Sequence, residues 1–597
     1  RVDCNEMNVA ARFVNSHRCR RLVPLNFGTR ANFKHVRFVS RLHRHLSNND
    51  VEGCWDVLDD PPKEFNFSRD IIDFWAAEKQ KKRHGDMPGF WFAKESGNEP
   101  DIKYTFADLS RLSQRVAGFL KHDLGLDKNS RLLVILPKTP EFWLVLLGAI
   151  RCGITLTTCT TMLTAKDIQF RLGKFQPDCI IAGSNEMAVV DEVVGSFDCV
   201  QHKVAVSKEG VRNDWKLFDL LLQSSREHEG DATYAEDPAI VFFTSGTTGP
   251  PKMVEHNQGY FLAHLSTACH VHSPEQHDVV WCIADPGWAK VAWGTFPTWL
   301  MGACFFQAQM PKFLSTATLA VLRDYPVTKL CAPPTVYRAL LQQDPALFQF
   351  KSLVDCISAG EPVNPEVMLK WQNRTGIEIR EVYGQTETVV LCASPKHHPI
   401  KPGSMGIPPR NVLLQIHDEK GREVAVGETG LIAVDISSKR PFGLFAGYRD
   451  DPERTANVFR NGFYYTGDRA SMDIDGYFWF YSRADDVIIS AGYRIGPFEV
   501  ESVLIEHPAV VECAVVASPD PDRGEVVKAF VVLHPDYKSQ DLKCLAEELQ
   551  QYVKKHTAPY KYPRKVEFVD QLPKTISGKI LRHLLREREK LVAEQRR

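Results

Sequence analysis

The chain of 597 residues has no pair of cysteines spaced as CxxC, and its fifteen cysteines are odd in number and scattered. That pattern speaks against a disulfide framework and for free thiols in a reducing compartment. Neither sign of charge prevails: 73 Lys and Arg stand against 74 Asp and Glu, a formal net charge of −1. The molecule as a whole has no electrostatic reason to bind nucleic acid, so an anionic ligand has to be recognised locally. No apolar run reaches the roughly 20 residues that span a bilayer. The longest, Phe142 to Thr158, is interrupted by Arg151, and a buried helix running into a strand accounts for it better. There is no internal repeat or low-complexity block, and 44% apolar with 25% charged residues excludes the disordered and collagen-like classes. A globular chain of this length is expected to form two or more folding units with sizeable cores.

Acidic residues are missing from Met7 to Asn49, where Arg12, Arg18, Arg20, Arg21, Arg30, Lys34, Arg37, Arg41 and Arg44 are spread among Phe, Val, Leu and Ser. An acid-free, Arg-rich stretch with no apolar h-region has the composition of an organelle transit peptide. Residues 1–50 are accordingly expected to be a mitochondrial (matrix) targeting segment outside the fold. Because the chain starts at Arg1, its true start is expected at Met7 or upstream.

What is present after Pro61 and Pro62 is a repeated texture of apolar β-run, turn and helix-period segment. Leu132–Leu136 precedes the helix-like Pro140–Cys152, Cys179–Ala182 and Ala239–Thr244 read as buried strands, and Val354–Ser358 precedes Asn364–Thr375. Strands apolar on both faces and alternating with helices predict parallel α/β layers. From Pro402 to about Ser482 the turn signals Asp418-Glu419-Lys420-Gly421, Asn461-Gly462 and Asp475-Gly476 predict a small β-rich subdomain. Glu499–Glu506, Val510–Ala517, Ala529–Leu533, Leu542–His556 and Arg564–Phe568 then read helix, strand, strand, helix, strand, a compact α+β lobe. The expected class is α/β, with a large N-terminal domain over residues 51–485 and a small C-terminal domain over 486–597.

The segment most informative about chemistry is Thr244, Ser245, Gly246, Thr247, Thr248, Gly249, Pro250, Pro251 and Lys252, directly after an apolar strand. Hydroxyls, backbone N–H groups and one ammonium in a glycine-containing loop suit a phosphate. It is not a Walker A loop, since Gly249 is followed by Pro250, Pro251, Lys252 and Met253.

This loop resembles the phosphate-binding motif of the adenylate-forming superfamily, which holds acyl-CoA synthetases, luciferases and peptide-synthetase adenylation domains. Glu381, Val382, Tyr383, Gly384, Gln385, Thr386 and Glu387 match a second motif of that superfamily. The resemblance implies that Thr386 touches the α-phosphate and the substrate and that Glu387 holds Mg²⁺. It further implies a ribose contact for Asp468 in Tyr465-Thr-Gly-Asp468 and for Arg483, a hinge at Asp485 about which the small domain moves, and a catalytic lysine, Lys579, in Pro573-Lys-Thr-Ile-Ser-Gly-Lys579. The implied roles make physical sense. Attack on a phosphorus builds negative charge that preorganised cations stabilise, Mg²⁺ prefers hard oxygen ligands, and an ionised carboxylate accepts hydroxyl hydrogen bonds well.

Within the superfamily the last lobe is similar to the medium-chain acyl-CoA synthetases. That likeness assigns Ala491, Gly492, Tyr493, Arg523, Lys554, Tyr562, Pro563 and Arg564 to a coenzyme A path, and Trp288 and Arg494 to the substrate. Arginine recognises the phosphates of coenzyme A well. Three positions depart from the pattern: Met162 stands where a Gln near coenzyme A is usual, Pro286 replaces a Thr before Gly287-Trp288, and Ser482 replaces a Gly before the hinge. If that last position needs a positive φ, Ser is strained there by about 1–2 kcal/mol. ATP, coenzyme A and Mg²⁺ are the implied cofactors, with a small carboxylic acid as partner. Rival readings are a luciferase-like or carrier-loading adenylating enzyme and a catalytically silent acyl- or nucleotide-binding relative. Neither the oligomeric state nor the acyl chain length follows from the residues.

Overall fold

The computed structural model describes residues 30–48, 50–82, 87–95, 99–211, 214–244, 251–310, 312–490, 493–521, 523–575 and 578–595. Two eight-stranded sheets form the large domain. In one, parallel strands Cys304–Ala308, Val279–Cys282, Lys329–Ala332, Asp355–Ala359 and Ile379–Gly384 lie side by side, with the antiparallel strand Val390–Ala393 at the edge. In the other, Thr155–Cys159, Arg131–Ile135, Cys179–Gly183 and His202–Val206 run parallel, and Pro238–Thr244 pairs antiparallel with Lys252–Asn257. Interiors of both sheets are buried on both faces, which is why a strand such as Cys179–Gly183 reads as a continuous apolar run and not as an alternation.

The apolar run from Phe142 resolves as expected into the helix Pro140–Cys152 and the strand Thr155–Cys159. Gly153, at φ +67°, closes the helix in a left-handed conformation that other residues resist. Arg151 within it is fully buried, and its charge is matched rather than exposed. Its guanidinium pairs with Asp73 (Nη1–Oδ2 2.9 Å) and donates to Ser113 Oγ at 2.9 Å and the Glu229 carbonyl at 2.8 Å.

A five-stranded antiparallel sheet with Leu414–His417, Gly430–Asp435, Phe463–Met472 and Phe478–Arg483 follows, as the turn dipeptides predict. Asn461 and Gly462 both take positive φ, +54° and +80°, in the hairpin between Phe459–Arg460 and Phe463–Met472. The last lobe packs helices Pro497–Glu506 and Leu542–His556 against a sheet led by the hairpin Val510–Asp520 and Gly524–Leu533. Those two strands run longer than the apolar pattern implies because they pair to their hairpin end, Asp520 against Gly524. Among the described residues no helix is long and apolar enough to cross a membrane, and the described cysteines are free thiols.

One expectation needs correction. Residues 1–50 are not wholly outside the fold, because Arg30–Asn48 is helical and Phe38, Leu42 and Leu46 are buried in the main core. Their four-residue spacing sets them on one face. His43 Nε2 bonds the Asp70 carbonyl at 2.7 Å and Arg41 lies 3.6 Å from Asp60. The basic residues that signal targeting can be solvated on the other face of an amphipathic helix, so composition alone could not separate the two readings. Leu42→Ala should lower stability by about 2–5 kcal/mol, read from the urea midpoint; a variant indistinguishable from the parent would remove this helix from the core.

Candidate active site

Strands Val279–Cys282, Asp355–Ala359 and Ile379–Gly384 run in one direction and end at one edge, delivering Asp285–Trp288, Glu361 and Gln385–Glu387 there. Loops at the carboxyl ends of parallel strands are where open α/β sheets bind ligands. The second sheet reaches the same place. Thr244 and Lys252 face each other across Pro238–Thr244 and Lys252–Asn257, so the hydroxyl-rich loop closes an antiparallel pair. Ser245, Gly246, Thr247, Thr248, Gly249 and Pro250 lie outside the described residues; Pro251 and Lys252 are partly buried.

Lys252 Nζ stands 5.3 Å from the ring centre of Tyr448, whose hydroxyl donates to Glu387 Oε1 at 2.8 Å. Burial pulls the Lys252 proton affinity down, Glu387 pulls it up, and the guanidinium groups of Arg454 and Arg483 lower it again. A desolvated cation is thus held near two carboxylates, Glu387 and Asp485, and two guanidinium groups, a net positive surrounding that favours an added anion.

Asp468 occupies the centre of a second constellation. It is buried, and its Oδ1 accepts from Arg483 Nη1 at 2.8 Å while Oδ2 accepts from Tyr383 Oη at 2.6 Å and Gln385 Nε2 at 2.7 Å. Asp468 and Arg483 are partners across neighbouring strands, and Gly467 between Thr466 and Asp468 has φ +74°. Gln385 is itself oriented by Tyr464 Oη (2.8 Å) and the Thr466 carbonyl (2.8 Å). Gly384 could not carry a side chain, since a Cβ there would lie 2.2 Å from Trp293. Glu381 and Val382 are buried in the strand, and burial raises Glu381 to about 8.

Lys579 is exposed on a hairpin loop of the last lobe. Its ammonium is near enough to Lys290 to disfavour that residue's charge, which burial already lowers. Lys290 Nζ donates to the Ala359 carbonyl at 2.7 Å, so Lys579 faces the strand-end edge of the large domain. Asn364 Nδ2 donates to the Ser502 carbonyl at 3.1 Å, joining the two units on that side. Asp485 lies in the turn between them, 3.7 Å from Arg483 Nε.

Residues 77–448 match the family described as AMP-binding enzyme, and residues 499–579 match the AMP-binding enzyme C-terminal domain. The chain belongs to the AMP-binding enzyme family. It is 46% identical over 531 residues to the mitochondrial acyl-coenzyme A synthetase ACSM3 of Mus musculus, covering 88% of this chain and 91% of that protein. It is 48% identical over 532 residues to the mitochondrial acyl-coenzyme A synthetase ACSM4 of Homo sapiens, at 88% and 91% coverage. Among solved structures it resembles the Brucella canis acyl-CoA synthetase, with TM-score 0.66 and 32% identity over 90% of this chain and 96% of that one. It also resembles the anthranilate CoA ligase AuaEII in complex with anthranoyl-AMP, with TM-score 0.79 and 26% identity over 90% and 99%.

In this AMP-binding enzyme the residues expected to serve coenzyme A lie on the small lobe. Tyr493 is 53% exposed and stacks on Tyr560 with ring centres 4.4 Å apart, and Arg564 Nη1 donates to Tyr562 Oη at 2.9 Å. Lys554 lies 5.6 Å from the Tyr562 ring, Pro563 is buried and Arg523 is exposed on the hairpin turn. Ala491 and Gly492 lie outside the described residues. Trp288 is partly buried after Asp285, whereas Arg494 pairs at 3.8 Å with Glu419 of the β-rich sheet and is not drawn to Thr386. Met162 is 53% exposed, so its missing amide group leaves no unpaired atom inside. The strain considered at Ser482 is absent: it sits in the strand Phe478–Arg483 and is not among the described residues with positive φ.

Sequence reading overlooked Tyr448, Arg454, Lys290, Trp293 and His256. His256 is 1% exposed, and its Nε2 bonds the Thr386 carbonyl at 2.7 Å, bracing the segment before Glu387. Its place four residues after Lys252, with the alternation of a strand, was the available signal. Burial lowers His256 to about 4 and His272 to about 3, and His264 lies well below 6.5 for the same reason. Unfolding restores their ordinary affinity, so below pH 6.5 the unfolded chain binds more protons. Stability is therefore full above about pH 6.5 and falls as pH drops toward 4, by up to about 1.4 kcal/mol per pH unit for each imidazole. Thermal midpoints at pH 7.5, 6.0 and 5.0 should decline in that order, and His256→Gln should reduce the slope; a flat profile would contradict the assignment.

Proposed function

We propose that this protein is an AMP-forming acyl-CoA synthetase for a medium-chain fatty acid or a related carboxylic acid. It activates the acid with ATP as an acyl-adenylate and passes the acyl group to coenzyme A, releasing AMP and pyrophosphate. The single observation that carries the proposal is Lys252 seated beside the ring of Tyr448, whose hydroxyl holds Glu387, with Lys579 facing the same edge from the other lobe.

In the first half-reaction an oxygen of the acid attacks the α-phosphorus, and the bond to the β-phosphate breaks as pyrophosphate leaves. Negative charge grows on the phosphoryl oxygens, so cations desolvated in advance stabilise that state more than the ground state. Lys579 and Lys252 fill this role, with Lys252 beside the ring of Tyr448. The Thr386 hydroxyl is directed to the α-phosphate, and the backbone carbonyl of the same residue is fixed by His256. Asp468 uses three of about four lone-pair positions on its neighbours, which locks the carboxylate and leaves acceptor capacity for a ribose hydroxyl. Glu387, oriented through Oε1 by the Tyr448 hydroxyl, would hold Mg²⁺ with a hard carboxylate oxygen. Mg²⁺ commonly takes one or two carboxylates with phosphate and water, and there it would neutralise phosphate charge.

In the second half-reaction the sulfur of coenzyme A attacks the acyl carbonyl and AMP departs. The small lobe, divided from the large domain near Asp485, turns so that Tyr493, Lys554, Tyr562 and Arg564 meet the anionic carrier. Trp288 walls the acyl pocket. The mitochondrial matrix is the proposed location.

Lys579→Ala is expected to slow pyrophosphate release from acid and ATP by about 100-fold or more while thioester formation from supplied acyl-adenylate changes by less than about threefold. Loss of both reactions together would defeat this division of labour. Glu387→Gln should raise the Mg²⁺ concentration giving half-maximal rate. AMP release that ignores coenzyme A would favour another acceptor.

A further inference from the structure

The loop that bears Lys579 is shaped by its own bonds. Thr575 N donates to the Lys579 carbonyl at 2.7 Å, Lys579 N to Thr575 Oγ1 at 3.0 Å, and Leu581 N to the Pro573 carbonyl at 2.9 Å. Lys574 and Ile580 form a bridge, and Gly578 turns at φ +86°. These bonds set the curl of the loop, and Ile580 packs against Ala514, Val516, Phe530, Leu572 and Leu585 of the small lobe.

Ion pairs fix the feet of the loop in direction. Lys574 Nζ meets Glu512 at 2.8 Å. At the other foot Arg582, the first residue of the helix Arg582–Gln595, grips Glu501 with Nε–Oε1 3.1 Å, Nη2–Oε1 2.9 Å and Nη2–Oε2 2.7 Å. The Glu501 side chain is only 6% exposed, and its Oε1 also accepts from Val515 N at 2.8 Å. One carboxylate therefore joins the helix Pro497–Glu506, the strand Val510–Asp520 and the start of the last helix, three residues after Lys579. A guanidinium–carboxylate fork fixes angle as well as distance, which a lysine or a neutral amide does not do. All three partners belong to the small lobe, so the fork travels with it.

We propose that the Arg582–Glu501 pair is the positioning device of Lys579, required for formation of the acyl-adenylate and dispensable for transfer of the acyl group to coenzyme A. Neither residue touches substrate; both act through the loop. The inference rests on the proposed role of Lys579, and the test separates the two.

Arg582→Lys and Glu501→Gln are each assayed in full-length enzyme for pyrophosphate release without coenzyme A and for AMP release from supplied acyl-adenylate with coenzyme A, with Lys579→Ala alongside. A displacement of the order of 1 Å lowers a rate by about 100-fold. The expected result for both variants is a fall of about 10- to 100-fold in kcat of the first reaction, KM for ATP and acid within about threefold, and an unchanged second reaction. Parallel loss in both reactions assigns the pair to the general integrity of the lobe and overturns the proposal, as does an unimpaired first reaction. If Arg582→Lys does not fold, Glu501→Gln, which keeps the shape and the acceptor for Val515 N, decides by the same two rates. Should Lys579→Ala itself fail to separate the half-reactions, the role of Lys579 is what falls; if it separates them and the pair variants do not, only the present proposal falls.

Discussion

A carboxylate as deeply buried as Asp468 needs donors in place of the water it has lost. Three do so, and they come from different parts of the chain: Tyr383 and Gln385 at the end of a parallel strand, and Arg483 on the strand leading to the turn at Asp485. The group thereby ties the β-rich sheet to the strand-end edge of the large domain and holds Arg483 beside Asp485. Remove the carboxylate and Arg483, Tyr383 and Gln385 lose a common partner at once. The position of the motifs relative to one another depends on it.

Around that anchor the site is made of charges and rings that have been taken out of water in advance. Lys252 is half-buried against Tyr448, and Glu387 is oriented by the hydroxyl of the same tyrosine. His256 stays neutral because burial makes its cation costly, which leaves one ring nitrogen to bond the Thr386 carbonyl. Low polarity strengthens each of these interactions and removes the need to reorganise solvent as charge develops.

Division between two lobes gives the enzyme a way to keep some functional groups apart. Lys579 faces the large domain, while Tyr493, Lys554, Tyr562 and Arg564 are on the surface of the small lobe and Arg494 is engaged with Glu419. In the proposed reaction a second lobe orientation brings the latter group to the same edge.

Much of the fold could be read from residue order, because it follows from local rules. The apolar run from Phe142 became a helix and a strand, Asn461-Gly462 became a hairpin turn, and Leu542–His556 is the helix that its periodicity describes. Other matters could not be read along the chain. That Arg30–Asn48 packs Phe38, Leu42 and Leu46 into the core, that Ser482 is unstrained, and that Asp468 is shared by three donors are facts about residues far apart in sequence. By itself the sequence determined the identity and order of the chemical groups and the elements that periodicity imposes on short segments. Only the tertiary structure decided which of those groups meet, since burial, partner and charge state depend on long-range packing that no local pattern encodes.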